Sequence, residues 1–223
     1  MDYLVSILIS IPCVLVALVF HEVAHGFVAY KLGDPTAKYM GRLTLNPMKH
    51  LDPIGTLCMV FFRFGWAKPV PINTRYFKNP RRDIALSSLA GPMANLILAL
   101  IGAFIYSLCL GFAYKVSPEY ESFTYYVFIA FLSLFSSFSW LNISLAIFNL
   151  IPLPPLDGSR IFLIWLPYDK YAKIMMYERQ ISLAFMAVLI LDSRILGGYF
   201  IGALSFIVNF IYDGMLSLFT FLY

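Results

Sequence analysis

Two histidines four residues apart, with a glutamate directly after the first, form a stretch suited to binding a metal and moving a proton: His21-Glu22-Val23-Ala24-His25. On an α-helix, positions i and i+4 lie about 40° apart around the axis, so the two imidazoles share a face and offer two nitrogens to one Zn²⁺. Glu22 stands beside that face. It could take a proton from a water next to the metal without itself ligating, the division of labour in His-Glu-x-x-His sites of metal-assisted hydrolysis. A catalytic zinc usually has three protein ligands and keeps a fourth position open. Asp34, His50, Asp52 and Asp157 are candidates for the third. Asp157 alone closes a long apolar run at a proline-broken end. Asp34-Pro35 and Asp52-Pro53 read as turn chemistry, and His50, beside Lys49, as an interfacial histidine.

The segments around these residues read as those of a membrane protein. Of 223 residues, 61% are hydrophobic and 13% charged, and mean hydropathy is +0.79, too apolar for a soluble domain. Cys13, Cys58 and Cys109 are odd in number and lie among apolar residues, which suits packing and fits no disulfide framework or zinc ribbon. The net charge of +4 is distributed unevenly: ten lysines and arginines against three aspartates lie between the first two apolar runs, from Lys31 to Asp83. That excess marks cytoplasmic loops and makes nucleic acid the weaker explanation.

Residues 3–20 form a first span that continues helically through the histidines towards Lys31. Asp2, rather than a basic cluster, precedes it, which argues against a signal peptide. With Lys31 beginning the basic side, the N-terminus is expected outside and the histidines towards the cytoplasmic face, with the metal roughly 9 Å below Lys31. After Gly33-Asp34-Pro35 comes an irregular stretch. Short extended runs at 42–45 and 70–72, broken by prolines, fit a hairpin or re-entrant segment, and the apolar piece 53–62 is too short to span. A second span lies within 84–114, starting near Gly91-Pro92 and carrying Asn95 early, where its amide either ties helices together or holds substrate backbone. Small and polar residues in the third run, 123–156, suit close helix contacts. That run ends at Asn149-Leu150-Ile151-Pro152-Leu153-Pro154-Pro155-Leu156-Asp157-Gly158, and Arg160, Lys170, Lys173 and Arg179 then return the chain to the basic side. Asp157 and the histidines are thus expected at one depth. Asn149 either ties the broken helix or helps hold substrate or transition state. A short fourth span over 181–191 and a fifth over 195–212 follow.

The expected fold is an all-α polytopic membrane protein, a bundle of about five transmembrane helices with a short re-entrant β-hairpin after the first. Residues 1–223 form one integral-membrane domain, with a catalytic core over about 1–160 and accessory helices over about 174–223.

His21-Glu22-x-x-His25, Gly91-x-x-x-Asn95 and Asn149-x-x-Pro152-x-Pro154-x-x-Asp157-Gly158, together with Gly41-Arg42-Leu43-Thr44 and Trp66-Ala67-Lys68-Pro69-Val70-Pro71, resemble the site-2 protease family of intramembrane zinc metalloproteases. The resemblance covers residues 1 to about 160. It implies that His21, His25 and Asp157 bind one Zn²⁺ per chain, that Glu22 is the catalytic base, and that substrates are transmembrane segments cut within or near the bilayer. It also implies a re-entrant β-structure over residues 41–72 that pairs with unwound substrate, and no appended PDZ or CBS domain is expected. The cell membrane is the expected location. Two other readings compete: a zinc or other cation transporter, since histidines and an aspartate within spans also describe an ion path, and a catalytically silent adaptor for membrane segments. Glu22 at this position and the lack of an inverted repeat oppose the first, and the presence of all four chemical residues opposes the second.

Overall fold

The computed structural model describes residues 3–52, 55, 68–194 and 197–223. Helix α1, Tyr3–Lys31, carries the His-Glu-x-x-His stretch near its C-terminal end. Lys31 in the last turn complements the helix dipole, and Gly33 stops the helix at a φ of 111°, a backbone state open to glycine at little cost. A short helix α2, Thr36–Tyr39, follows.

Helix α3, Pro80–Val116, opens with proline at its first turn, where a missing N–H costs nothing. Asp83 accepts from the Asn79 N–H at 3.0 Å and pairs with Arg82 at 2.9 Å, which compensates its burial. With 37 residues, the helix is about 55 Å long, well beyond the ~30 Å hydrocarbon thickness. It begins eleven residues before Gly91, earlier than the expected start of the span, because charged residues 81–83 extend the helix without being part of its apolar stretch. Helix α4, Phe123–Asn149, is capped by Ser122, whose side chain accepts from the Tyr125 N–H. The proline-rich turn then breaks the chain, and α5, Asp157–Phe162, starts on Asp157 itself. Helices α6, Tyr168–Met176, α7, Glu178–Arg194, and α8, Tyr199–Ser217, complete the order.

The bundle core is α1, α3 and α4 in mutual contact, with α8 against α3 and α4. Small residues make this approach possible. Ala99, Ala103, Ser107, Ser139 and Ala146 are all buried, and the Ser139 hydroxyl donates to the Ala99 carbonyl at 2.8 Å. In a bilayer, apolar burial gives helices little reason to associate, so close packing and such interhelical hydrogen bonds carry the contact. Val208 of α8 packs on Ala99 and Ile143, while Trp140 donates to Asn209 and Tyr212 to Ser136.

Two expectations about the fold meet a different outcome. Among the described residues, four helices, against an expected bundle of about five, are long and apolar enough to cross a membrane: residues Ile9–Lys31, Pro80–Val116, Phe123–Asn149 and Tyr199–Ser217. The expected fourth span lies in α7, which is helical but too short and too charged, with Glu178, Arg179, Asp192 and Arg194 in 17 residues. Asp192 instead caps α8, accepting from the Phe200 and Ile201 N–H groups. Second, no sheet forms among the described residues, so the β-hairpin is unsupported; the expected apolar piece at 53–62 lies almost wholly outside them. What is described is a 3-10 turn, Pro47–Lys49, and an extended stretch over residues 68–73 held in place piece by piece. The Lys68 N–H donates to the His50 carbonyl, Arg42 donates to the Lys68 and Pro69 carbonyls, and the Asn73 N–H donates to Asp34 at 2.6 Å. His50 is buried rather than interfacial, its Nε2–H donating to the Thr44 carbonyl at 2.8 Å. Asp34 is the expected turn residue, bound to the N–H and hydroxyl of Thr36, and also anchors residue 73.

Candidate metal centre and cleft

The last turns of α1 carry His21, Glu22 and His25, and two helical turns of α3 lie directly behind them. His25 Nδ1 contacts the Ser87 carbonyl at 2.7 Å, and the Ser87 hydroxyl donates back to the His25 carbonyl at 3.0 Å. Since a carbonyl only accepts, Nδ1 of His25 carries the proton. One turn of α3 later, Gly91 faces the rings: a Cβ there would stand 2.4 Å from His25 Nε2 and 2.6 Å from His21 Cε1. A further turn on, Asn95, fully buried, places Oδ1 at 3.1 Å from His21 Nδ1. Both rings are thereby turned so that their Nε2 atoms point at one place.

Asp157 reaches that place from the start of α5. Its Oδ2 lies 3.1 Å from His21 Nε2 and 3.2 Å from His25 Nε2, and the two Nε2 atoms are 3.0 Å apart. Gly158 permits the approach, since a Cβ there would meet the Leu150 and Ile151 carbonyl oxygens at 2.2 and 2.4 Å. The proline-broken turn and the first turn of α5 are therefore pressed together with no room for a side chain.

With Nδ1 protonated on each ring, three lone pairs converge. Such a set repels itself unless positive charge lies among the three atoms, either a proton or a metal cation. With protons alone, burial would raise the Asp157 carboxyl, but hydrogen bonds from His21 and His25 outweigh it and hold the group well below the usual carboxylate range. A metal cation fits better than a shared proton on two grounds. Tetrahedral zinc with ligand distances of about 2.0–2.1 Å sets neighbouring donors about 3.3 Å apart, close to the separations here. The donor set of two imidazoles and a carboxylate is also one zinc accepts.

A cleft of about 360 Å³ opens on this centre. Glu22 lines it, as do Val70 and Ile72 of the extended stretch, Asn149, Pro155 and Arg160. One Glu22 oxygen, Oε2, accepts from the Val70 N–H at 2.8 Å. The Asn149 amide group turns back to donate to the Leu145 carbonyl at 2.9 Å, tying the end of α4, while the residue still borders the cleft. Asn95 touches His21 instead of lining the cleft. Three contributors had no signal in the sequence reading: the Ser87 carbonyl, the Val70 N–H and Arg160. The first two are backbone groups, which every residue possesses, and Arg160 stood out only as part of a basic stretch.

The family model for peptidase family M50 matches residues 9–191. Among curated proteins, "Putative zinc metalloprotease YwhC" of Bacillus subtilis (strain 168) is 42% identical over 220 residues, covering 99% of this chain and 92% of that protein. "Putative zinc metalloprotease Rip2" of Mycobacterium tuberculosis is 29% identical over 201 residues, covering 87% of this chain and 71% of that protein. No solved structure matches the chain.

Proposed function

Because the chain belongs to peptidase family M50, and so is an intramembrane zinc metalloprotease, we propose that His21, His25 and Asp157 hold its zinc and that Glu22 is its base. The convergence of three acceptor atoms within 3.0–3.2 Å of one another, in the same cleft as the Glu22 carboxylate, carries this reading. When bound, zinc supplies Lewis acidity, making a water nucleophilic near neutral pH and polarising the scissile carbonyl. Glu22 takes the proton of the attacking water and returns it to the leaving amine nitrogen. Asn95 and the Ser87 carbonyl keep the imidazoles in the tautomer that leaves Nε2 free to ligate. Asn149, at the cleft wall, is the candidate for contact with substrate backbone.

Membrane proteins are the substrates that the family implies. Their transmembrane segments are the parts proposed to be cut, because the cleft opens beside spans that hold the histidines within 6–10 residues of Lys31. The basic residues gathered from Lys31 to Arg82 support an orientation with the cleft towards the cytoplasm and the N-terminus outside, in the cell membrane. Cleavage of single-span reporters in detergent or liposomes tests the mechanism. Glu22→Gln should abolish turnover while keeping full zinc content, whereas Asp157→Ala should lose both. Equal cleavage by wild type and Glu22→Gln would overturn the role of Glu22, and full zinc affinity in Asp157→Ala would move the third ligand elsewhere.

A further inference from the structure

Glu22 is the only one of the four chemical residues whose side chain is fixed by a backbone group of the extended stretch. Pro69 and Pro71 have no N–H, so Val70 carries the sole backbone donor between Lys68 and Ile72, and that donor is spent on Glu22 Oε2 at 2.8 Å. The stretch itself cannot drift away from Glu22. Arg42 holds the two carbonyls before Val70, the His50 carbonyl holds the Lys68 N–H, and Asp34 holds the Asn73 N–H. Arg42, His50 and Asp34 are all buried. From the other side, the Val70 side chain packs against α1 at Gly26, where an added Cβ would stand 2.9 Å from Val70 Cγ1.

We infer that the Val70 backbone amide is a positioning group for catalysis: it fastens one oxygen of the Glu22 carboxylate and so aims the other into the cleft. This rests on Glu22 being the base. A glutamate has three side-chain torsions, and a carboxylate free to rotate would present its proton-accepting lone pairs to the reacting water only part of the time. Tying Oε2 to an amide that is itself clamped at both ends removes that freedom, leaving Oε1 as the oxygen that accepts and then delivers the proton. The alternation of prolines has a physical purpose in this account. It keeps the stretch extended and removes the neighbouring N–H groups that could compete for the same carboxylate. Val70 therefore acts through Glu22 and is not itself a catalytic residue.

Val70→Pro deletes this one N–H within a segment already extended, and Val70→Ala removes the same side chain while keeping the amide. The expected result is a kcat about 10- to 100-fold lower in Val70→Pro than in Val70→Ala, with KM and zinc content matched. Equal kcat in the two variants, both loaded with zinc, would overturn the inference. Hydrogen exchange gives a second reading that needs neither turnover nor a folded Val70→Pro. Any exchange from residues 69–71 reports Val70 alone. Glu22→Ala should speed that exchange roughly tenfold or more over wild type, while Glu22→Gln, which retains an acceptor oxygen, should leave it slow. Exchange unchanged in Glu22→Ala would overturn the inference even if Val70→Pro fails to fold. Full activity in Glu22→Gln would instead remove the premise that Glu22 is the base, leaving the exchange result to report the tie by itself.

Discussion

Two of the three glycines of helix α3, Gly91 and Gly102, admit very different neighbours. At Gly91 a Cβ would be driven to 2.4 Å from an imidazole nitrogen, and at Gly102 it would stand 3.0–3.3 Å from Phe138 and Ser139 of α4. Around Gly91 the partners are polar and fixed by directed hydrogen bonds: His25 to the Ser87 carbonyl and His21 to Asn95. Around Gly102 they are apolar or small, with Ala99, Ala103 and Ile143 buried nearby and α8 laid over them. A packed apolar contact can relax by a few tenths of an ångström with little effect on its neighbours. A triangle of candidate ligand atoms whose sides are 3.0–3.2 Å cannot, because a shift of that size would change each donor's distance to a shared cation. One end of the bundle therefore holds geometry, and the other holds helices together.

Three substitutions test that contrast. Gly91→Ala has the largest expected effect: the methyl displaces both imidazoles, so purified protein should fall well below one zinc per chain and lose activity by at least ~100-fold. Retention of stoichiometric zinc would show the histidines to be more mobile than their ties imply. Asn95→Leu comes next. It matches the branching and the number of side-chain heavy atoms but removes the His21 Nδ1 partner, and chelator competition should register zinc affinity lower by about 10- to 100-fold. Unchanged affinity would mean His21 is oriented by packing alone. Gly102→Ala should do least. A small repacking cost against Phe138 is offset by the roughly 1 kcal/mol gain in helix propensity, so the unfolding midpoint should move little and zinc content not at all. Loss of zinc in Gly102→Ala would show that the two ends of α3 are mechanically coupled.

The chain's one-dimensional pattern pointed to the residues of the candidate site more fully than to the bundle that gathers them. His21 and His25 could be paired because helical spacing alone puts i and i+4 on one face, and Asp157 could be added because a proline-broken end follows the third apolar run. The span count and the segment after α1 were harder. Residues 181–191 are as apolar as a short span, and only the flanking charges and the capping of α8 by Asp192 reveal a different use. The alternating prolines at 69 and 71 fit an extended strand equally well whether or not a partner strand exists, and here much of the bonding comes from side chains of Arg42, Asp34 and Glu22.

A membrane protein with a His-Glu-x-x-His helix is legible in the residues alone, because composition and period are properties of the chain read locally. The sequence also offered Asp157 as the acidic partner of the two histidines. Tertiary structure alone decided which backbone groups serve the site. Ser87 and Val70 contribute a carbonyl and an N–H that all their neighbours but proline share, so only their placement beside His25 and Glu22 distinguishes them. The same holds for Gly91 and Gly158: a missing side chain says that something comes close, and only the fold says that it is a pair of imidazoles in one case and two carbonyl oxygens in the other.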